Sequence, residues 1–399
     1  MSNLFTGVTK DFQAANTQAA LKSTLISDVI ADCKYGAVAP RSTVSDQYMN
    51  SPVVQDYTFQ SGAAITDLTA TRDSYSIDQK KSAVFSYDKL NNLVIQDPNW
   101  MSTVEDDAGY QLARRIDQFQ IQKCITGAYS TLTSVGTLTP SGLVDLVGNM
   151  RARISESRGN VRKRKWIALD PVRLNLIPAE YLQVATGAEV GMALMEGANG
   201  FTGKSFMGFD VYETNEYLYS VSLTMGTNPT AGQTLSLFGG SFVITFVASL
   251  TSTNTNEVLI GAGAADTQNN LEAFINGTSG SGSTYTDMTV ENRSDFKNSQ
   301  TAIANFSGNV AAITKYGRIN ASTNVTSATL GTETFTMVGG CYKASDLTIL
   351  QEPLIEEVQH ITSAGYASHA KDVLFTTIFG GGVWHRLSRE LVAASSVTA

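Results

Sequence analysis

The sequence predicts an α+β protein, and three observations lead there. One stretch, Asn99 to Thr126, keeps helical periodicity without a break. Alternating apolar residues precede it, and a tract from about Val221 to Gly340 is rich in Thr, Ser, Asn and Gly with short strand signals. At 399 residues the chain has room for about two or three domains and a substantial core.

The long helix comes first because the other segments are placed around it. Asp97-Pro98 breaks what precedes, and Ser102 followed by Glu105 has capping-box spacing, in which hydroxyl and carboxylate satisfy first-turn N–H groups. Glu105, Asp106 and Asp107 set negative charge against the positive end of the helix dipole. Val104, Ala108, Leu112, Ile116 and Phe119 form one apolar stripe, which leaves Arg114, Arg115, Asp117 and Gln118 to other faces, and Gly127 is the stop. At 1.5 Å per residue the helix spans roughly 40 Å, longer than an ordinary core needs. That length suits a spine, although any large α/β protein can hold one long amphipathic helix, so the flanking segments decide.

The net charge of -8 and pI near 5.0 argue against broad phosphate binding through a basic surface. Nucleic acid can be a neighbour without being a tight ligand. Cys33, Cys124 and Cys341 are widely spaced and odd in number, which reads as buried thiols in a reducing compartment. The N-terminus lacks a signal-peptide pattern and no apolar run is long enough to cross a membrane, so the protein is expected to be cytoplasmic when made. Asn-x-Ser/Thr triplets at Asn276, Asn292, Asn305, Asn320 and Asn324 then reflect composition and carry no glycan.

Taken in order, residues 1–50 read as a polar arm and a helix from Asn16 to Lys34, with Leu21, Leu25 and Val29 on one side and Gly36 and Pro40 at its end. Residues 51–97 read as a two-stranded excursion, with Tyr57 and Phe59, Tyr75 and Ile77, then Val84, and a tip near Gly62-Ala63-Ala64. A lone hairpin is marginal in water, so it is expected to lie against another surface. The helix occupies 98–130.

In 131–220 a helix from Pro140 to Arg158 turns Leu143, Val144, Val147 and Ile154 inward. Arg162-Lys163-Arg164-Lys165 then reads as the solvated approach to a buried strand, Trp166 to Leu169; attraction to phosphates or to an acidic neighbouring subunit is the alternative. Asp170-Pro171 opens a short helix towards Leu182, and Phe206 to Tyr212 is a strand. Residues 221–340 read as an inserted, mostly β domain whose ends, near Tyr219 and Gly340, must lie close together. Gln233–Phe238 and Phe242–Ala248 flank Gly239-Gly240 as a hairpin, and Glu257–Ile260 is a further strand. A helix covers Ala264–Asn276, followed by strands at Met288–Glu291, Val310–Thr314 and Phe335–Val338. In 341–399, Asp346–Gln351 is β-like, Lys371 to Phe379 is a strand ending in Gly380-Gly381-Gly382, and a frayed tail follows Leu391.

No catalytic constellation stands out. His360, His369 and His385 fall in the last part of the chain, with neither a Gly-x-Ser-x-Gly elbow nor a His-Glu-x-x-His pair, and each reads as a surface or packed histidine. Gly261-Ala262-Gly263 resembles the opening of a phosphate-binding turn but lacks the third glycine and the lysine. Gly380-Gly381-Gly382 also reads as a turn. Glu105-Asp106-Asp107 and Glu356-Glu357 could be imagined as an acid/base pair, but helix capping accounts for the first set. No EF-hand loop is present, and catalytic, cofactor and metal sites are all expected to be absent.

An N-terminal arm, a long β excursion, a spine helix, an α/β domain and a final strand with a glycine run come in the order of the major capsid protein of tailed double-stranded DNA bacteriophages. Encapsulins and the herpesvirus capsid floor share that fold. Tyr75 through Tyr87 resembles the returning strand of the family's extended loop; Gly208-Phe209-Asp210-Val211 and Asp372 through Gly381 resemble strands of its axial and peripheral domains. The resemblance covers about residues 10–220 and 340–390. It implies pentamers and hexamers closing into an icosahedral shell around packaged DNA, assembled in the host cytoplasm, with portal, scaffolding and possible decoration proteins as partners and no membrane. Lys80, Lys81, Glu105, Asp106, Arg114 and Arg115 are the candidate intersubunit contacts. Some relatives cross-link a loop lysine to a neighbour's asparagine, but nothing here identifies an acceptor, so that chemistry is not carried over. By analogy the insertion projects from the outer face of each capsomer. An encapsulin-like shell holding an enzyme cargo and a phage tail or surface adhesion protein are the competing classes, and an enzyme is the weakest.

Overall fold

The computed structural model describes residues 25–35, 43–49, 70–88, 100–133, 135–157, 162–178, 182–184, 201–349, 354–361 and 367–398. Tyr57, Phe59, the Gly62 tip and Leu21 lie outside them. The chain is α+β and forms two compact units. The first comprises Met1–Tyr129, Ser157–Lys163 and Cys341–Leu391; the second comprises Ser130–Glu156, Arg164–Gly340 and Val392–Ala399. The segments 131–220 and 221–340 thus share one unit.

The first unit is built on the helix Trp100–Gly127. It begins before Ser102, so Ser102 is a helical residue and not a flanking cap, and Glu105, Asp106 and Asp107 follow the first turn instead of opening it. Ala108, Leu112 and Ile116 are buried as their spacing predicts, together with Ala113, Leu25, Ala31, Leu347, Ile349, Phe375 and Phe379. Removing a large apolar side chain from water contributes roughly 1.5–3 kcal/mol, and this cluster holds helix to sheet. The Phe119 ring meets Phe379 edge-on at 5.3 Å.

Asp117 and Gln118, which lie off the apolar stripe, are both buried as well. The Asp117 carboxylate accepts from the backbone N–H groups of Ile26 and Ser27 at 3.1 and 2.9 Å and from the Ser27 hydroxyl. It therefore satisfies donors that the short helix Ser27–Ile30 would leave orphaned. That short helix replaces the predicted Asn16–Lys34 helix over the described residues. Asp32–Tyr35 is instead a strand parallel to Asp346–Ile349, because a sheet edge was there to pair with it.

The sheet of this unit runs Asp32–Tyr35, Asp346–Ile349, Ala367–Gly382, Leu354–Ile361, with Gln79–Asp88 on the other side of Ala367–Gly382. His360 and His369 thus sit in paired strands, not in a loose polar stretch. A second pair, Thr43–Met49 with Ala70–Ser76, forms an antiparallel hairpin. Its first strand comes from the stretch read as arm and helix, so the excursion starts earlier than residue 51.

In the second unit the described residues include a sheet of twelve strands. Its centre is Lys165–Leu169, buried throughout, parallel to Phe209–Glu213. The helix Pro140–Glu156 buries Leu143, Leu146, Val147, Met150 and Ile154. The basic run is paired instead of merely hydrated: Arg164 meets the buried carboxylate of Asp210 at 2.7 Å, Lys165 is buried, and in the first unit Lys163 meets buried Glu390 at 2.8 Å. Leu218–Met225 pairs with Val310–Tyr316 and Ala328–Leu330, and Ser220 registers with Thr334. The two ends of the Thr/Asn-rich tract therefore lie side by side, inside this same sheet.

The rest of that tract forms a four-stranded sheet, Glu257–Leu259, Phe242–Val247, Thr234–Leu237, Ser322–Thr323, with helices Ala264–Asn276 and Val290–Asn298. The hairpin over Gly239-Gly240 and the first helix match the periodicity. The predicted strand Met288–Glu291 is instead the start of the second helix, because the Thr289 hydroxyl caps it by accepting from Asn292 N–H at 3.2 Å. The tail is not frayed: Leu391–Thr398 is a strand with Leu391 to Ala394 and Val397 buried, parallel to Ser130–Leu132 and Gly136–Thr137.

Candidate assembly interface

The hairpin leaves the first unit from a built root. Along Ala70–Ser76 only Tyr75 is buried, followed by Ile77 beyond the strand end, and the positions towards the tip are exposed or half-buried. Tyr75 shares a 2.8 Å hydrogen bond between its hydroxyl and that of Thr348, and its ring lies 5.2 Å from Trp384. Burial raises its phenol above the ordinary value. The glycine run that reads as a turn is the end of the long strand Ala367–Gly382. A Cβ on Gly380 would stand 2.3 Å from the Ser76 carbonyl oxygen, one on Gly381 2.6 Å from Gln120 Oε1, and one on Gly382 3.0 Å from Tyr75 Cβ. Gly380 lets the hairpin base cross the strand at backbone distance, and Gly381 and Gly382 leave room for the Gln120 side chain of the long helix and for Tyr75.

Two carboxylates, one from each hairpin strand, tie the root to the helix His385–Ser388. Asp73 accepts from the His385 backbone N–H at 2.8 Å, and Asp46 pairs with Arg386 at 3.3 Å. Nearby, Asp346 holds Lys34 at 2.8 Å, and this bond raises the ammonium pKa.

The candidate contact residues do not gather at one point. Lys80 and Lys81 lie on the strand Gln79–Asp88, both exposed, paired in register with Ile378 and Thr377. Arg114 and Arg115 are half-buried on the helix; Arg114 donates to Gln111 and lies 5.9 Å from the centre of the Tyr110 ring, and Arg115 donates to Gln118. Asp106 is exposed in the second turn, and Glu105 occupies the adjacent helical position. The residues that sequence reasoning missed are Asp46, Asp73 and Asp117, which nothing in their local pattern distinguishes. The glycine run did carry a signal, since glycine inside a strand marks close backbone approach.

Among the described residues no group of three or more His, Cys, Asp or Glu side chains is placed to hold a metal, and no helix is long and apolar enough to cross a membrane. Cys124 is fully buried, donates to the Ser345 hydroxyl, and has its thiol pushed up to about 11 by desolvation, which makes it a poor nucleophile. The phosphate-like turn at Gly261-Ala262-Gly263 is already occupied: the Asp266 carboxylate accepts from Gly263 N–H at 3.3 Å, where an anion would sit.

The chain is similar to tailed-phage capsid proteins in fold. The capsid structure of the cyanophage P-SCSP1u aligns over 94% of this chain and 89% of its own at 9% identity, with a TM-score of 0.49. The capsid of Ralstonia phage GP4 aligns over 93% and 87% at 9% identity and 0.46. A virus-like particle from Pyrococcus furiosus aligns over 97% and 99% at 7% identity and 0.40. No protein-family model matches the sequence, and no curated protein matches it.

Proposed function

We propose that this chain is a structural coat protein of the tailed-phage class, non-catalytic, whose copies form pentamers and hexamers that close into an icosahedral shell around double-stranded DNA. The observation that carries the reading is the hairpin Thr43–Met49/Ala70–Ser76. It has a precise root of glycines, aromatics and two carboxylates, yet its outer positions bury almost nothing. A two-stranded ribbon without a core of its own gains stability by lying on another surface, and neighbouring copies supply one. The order of arm, excursion, spine helix and glycine-ended strand supports the same reading. The net charge of -8 fits packaged DNA as a non-specific neighbour and not as a tightly held ligand. Assembly in the host cytoplasm with scaffolding and portal proteins, optional decoration proteins, and outward projection of the 221–340 region follow from this role.

Negative-stain electron microscopy after size exclusion tests it. Rings of five or six subunits, or closed shells, are the expected result. A strictly monomeric chain across concentrations, salts and added scaffold overturns it. Particle contents, read from the ratio of nucleic acid to protein absorbance, separate a DNA-filled capsid from an encapsulin-like compartment holding protein cargo.

A further inference from the structure

In the first unit the strands Gln79–Asp88 and Leu354–Ile361 flank the long strand Ala367–Gly382, both antiparallel to it. They therefore run parallel to each other at opposite edges of a three-stranded ribbon. Among the described residues neither has a further strand partner along this ribbon. An open edge is a row of unpaired N–H and C=O groups able to template another strand, and proteins blunt such edges with charge. Here the two edges carry opposite charge: Lys80-Lys81 on one and Glu356-Glu357 on the other.

The register adds a second constraint. Leu374 pairs with Val84 on one side and Glu356 on the other, so positions 80, 84 and 356 share one face by alternation; Val373 likewise relates 81, 85 and 357 on the opposite face. Two ribbons lying in the same sense, one slid four positions along the strands relative to the other, would bring position 80 opposite 356 and 81 opposite 357 with no flip of either sheet, since an even slide keeps every side chain on its own face. Two identical edges meeting would instead set Lys against Lys or Glu against Glu, which repel. The edge carrying the lysines also exposes an apolar side chain, Val84, at 56%.

We propose that the lysine edge of one copy pairs with the glutamate edge of the next, with Lys80 facing Glu356 and Lys81 facing Glu357. Such a contact is head-to-tail, and a head-to-tail contact closes into a ring when its rotation allows. The proposal rests on the shell-forming reading and names one surface through which subunits join.

Charge reversal tests it. K80E/K81E and E356K/E357K should each lower the yield of rings and shells roughly tenfold at low salt, and the quadruple swap should restore it, since two cross-strand charge pairs are worth about a factor of ten. Cysteines introduced as K80C and E356C should give oxidised multimers on a non-reducing gel, with the wild-type chain as control for its own cysteines. Unchanged assembly in both double reversals overturns the contact. So does a quadruple swap that stays defective while a thermal melt shows it folded. If the reversed chains do not fold, absence of cross-linked multimers overturns it instead. A wild-type chain that never forms rings or shells overturns the shell reading itself, whereas wild-type shells with indifferent reversals sink only this contact.

Discussion

The hairpin Thr43–Met49/Ala70–Ser76 and the four-stranded sheet around Phe242 solve the same problem in opposite ways. Both are β excursions from a host unit. The sheet carries its own core: Phe242 packs edge-on against Phe296 at 4.8 Å, stacks near Phe274 at 6.2 Å, and Phe274 meets Tyr285 at 5.6 Å. The hairpin has a strong root and little beyond it. A segment that buries its own aromatic residues can stand alone, whereas one that exposes its length depends on what it touches.

The largest expected effect lies in the self-sufficient region. Phe242→Ala should cost about 3–5 kcal/mol in denaturant unfolding of the isolated chain, the usual range for removing a buried ring; a loss under about 1 kcal/mol would mean that the sheet does not rest on this cluster. Asp117→Ala should cost about 2–3 kcal/mol, since it leaves two backbone N–H groups and a hydroxyl buried without an acceptor. Hydrogen exchange of Ile26 and Ser27 should rise with it.

At the hairpin root, Gly380→Ala should cost about 1–3 kcal/mol, because its Cβ meets a carbonyl oxygen that belongs to backbone. Thermal melts of the single chain would show it. A smaller effect is alkaline. Lys34 and Tyr75 both have folded-state pKa values above their ordinary 10.5 and 10.0, so their contribution is complete below about pH 10 and is lost as pH rises through the folded values. Lys34 is half-exposed and screened, so its share is under about 1 kcal/mol, and Lys34→Met should flatten the slope of stability against pH above 10. Smallest is Arg72→Ala, which removes an exposed cross-strand bond to Ser45: less than about 0.5 kcal/mol in the single chain, but a measurable drop in shell yield. Equal loss in both assays would erase the contrast between the two regions.

Much of this was legible in the residues. The long helix, its buried Ala108, Leu112 and Ile116, the Gly239-Gly240 hairpin and the Ala264–Asn276 helix all follow periodicity, a local property. What periodicity missed was set by distant partners. Asp117 is buried because a helix start ninety positions earlier in the chain needs an acceptor. Asp32–Tyr35 is a strand because Asp346–Ile349 offers an edge, and Leu391–Thr398 is ordered because small residues fit between strands that its own composition does not announce. Of the six candidate contacts, Lys80 and Lys81 read by pattern only as part of a polar stretch and by resemblance as part of a returning strand; neither reading could show that a glutamate pair occupies the opposite edge.

The strand Leu391–Thr398 has a consequence for timing. It joins the sheet beside Ser130–Leu132, and the Ser395 hydroxyl bonds to the Leu132 carbonyl from 263 residues away. During translation the Phe242 sheet can form as soon as its own residues leave the ribosome, while the host sheet must wait for Leu391–Thr398. The host sheet therefore closes late, by contacts of long sequence separation, after the local β region inside it has had the chance to form.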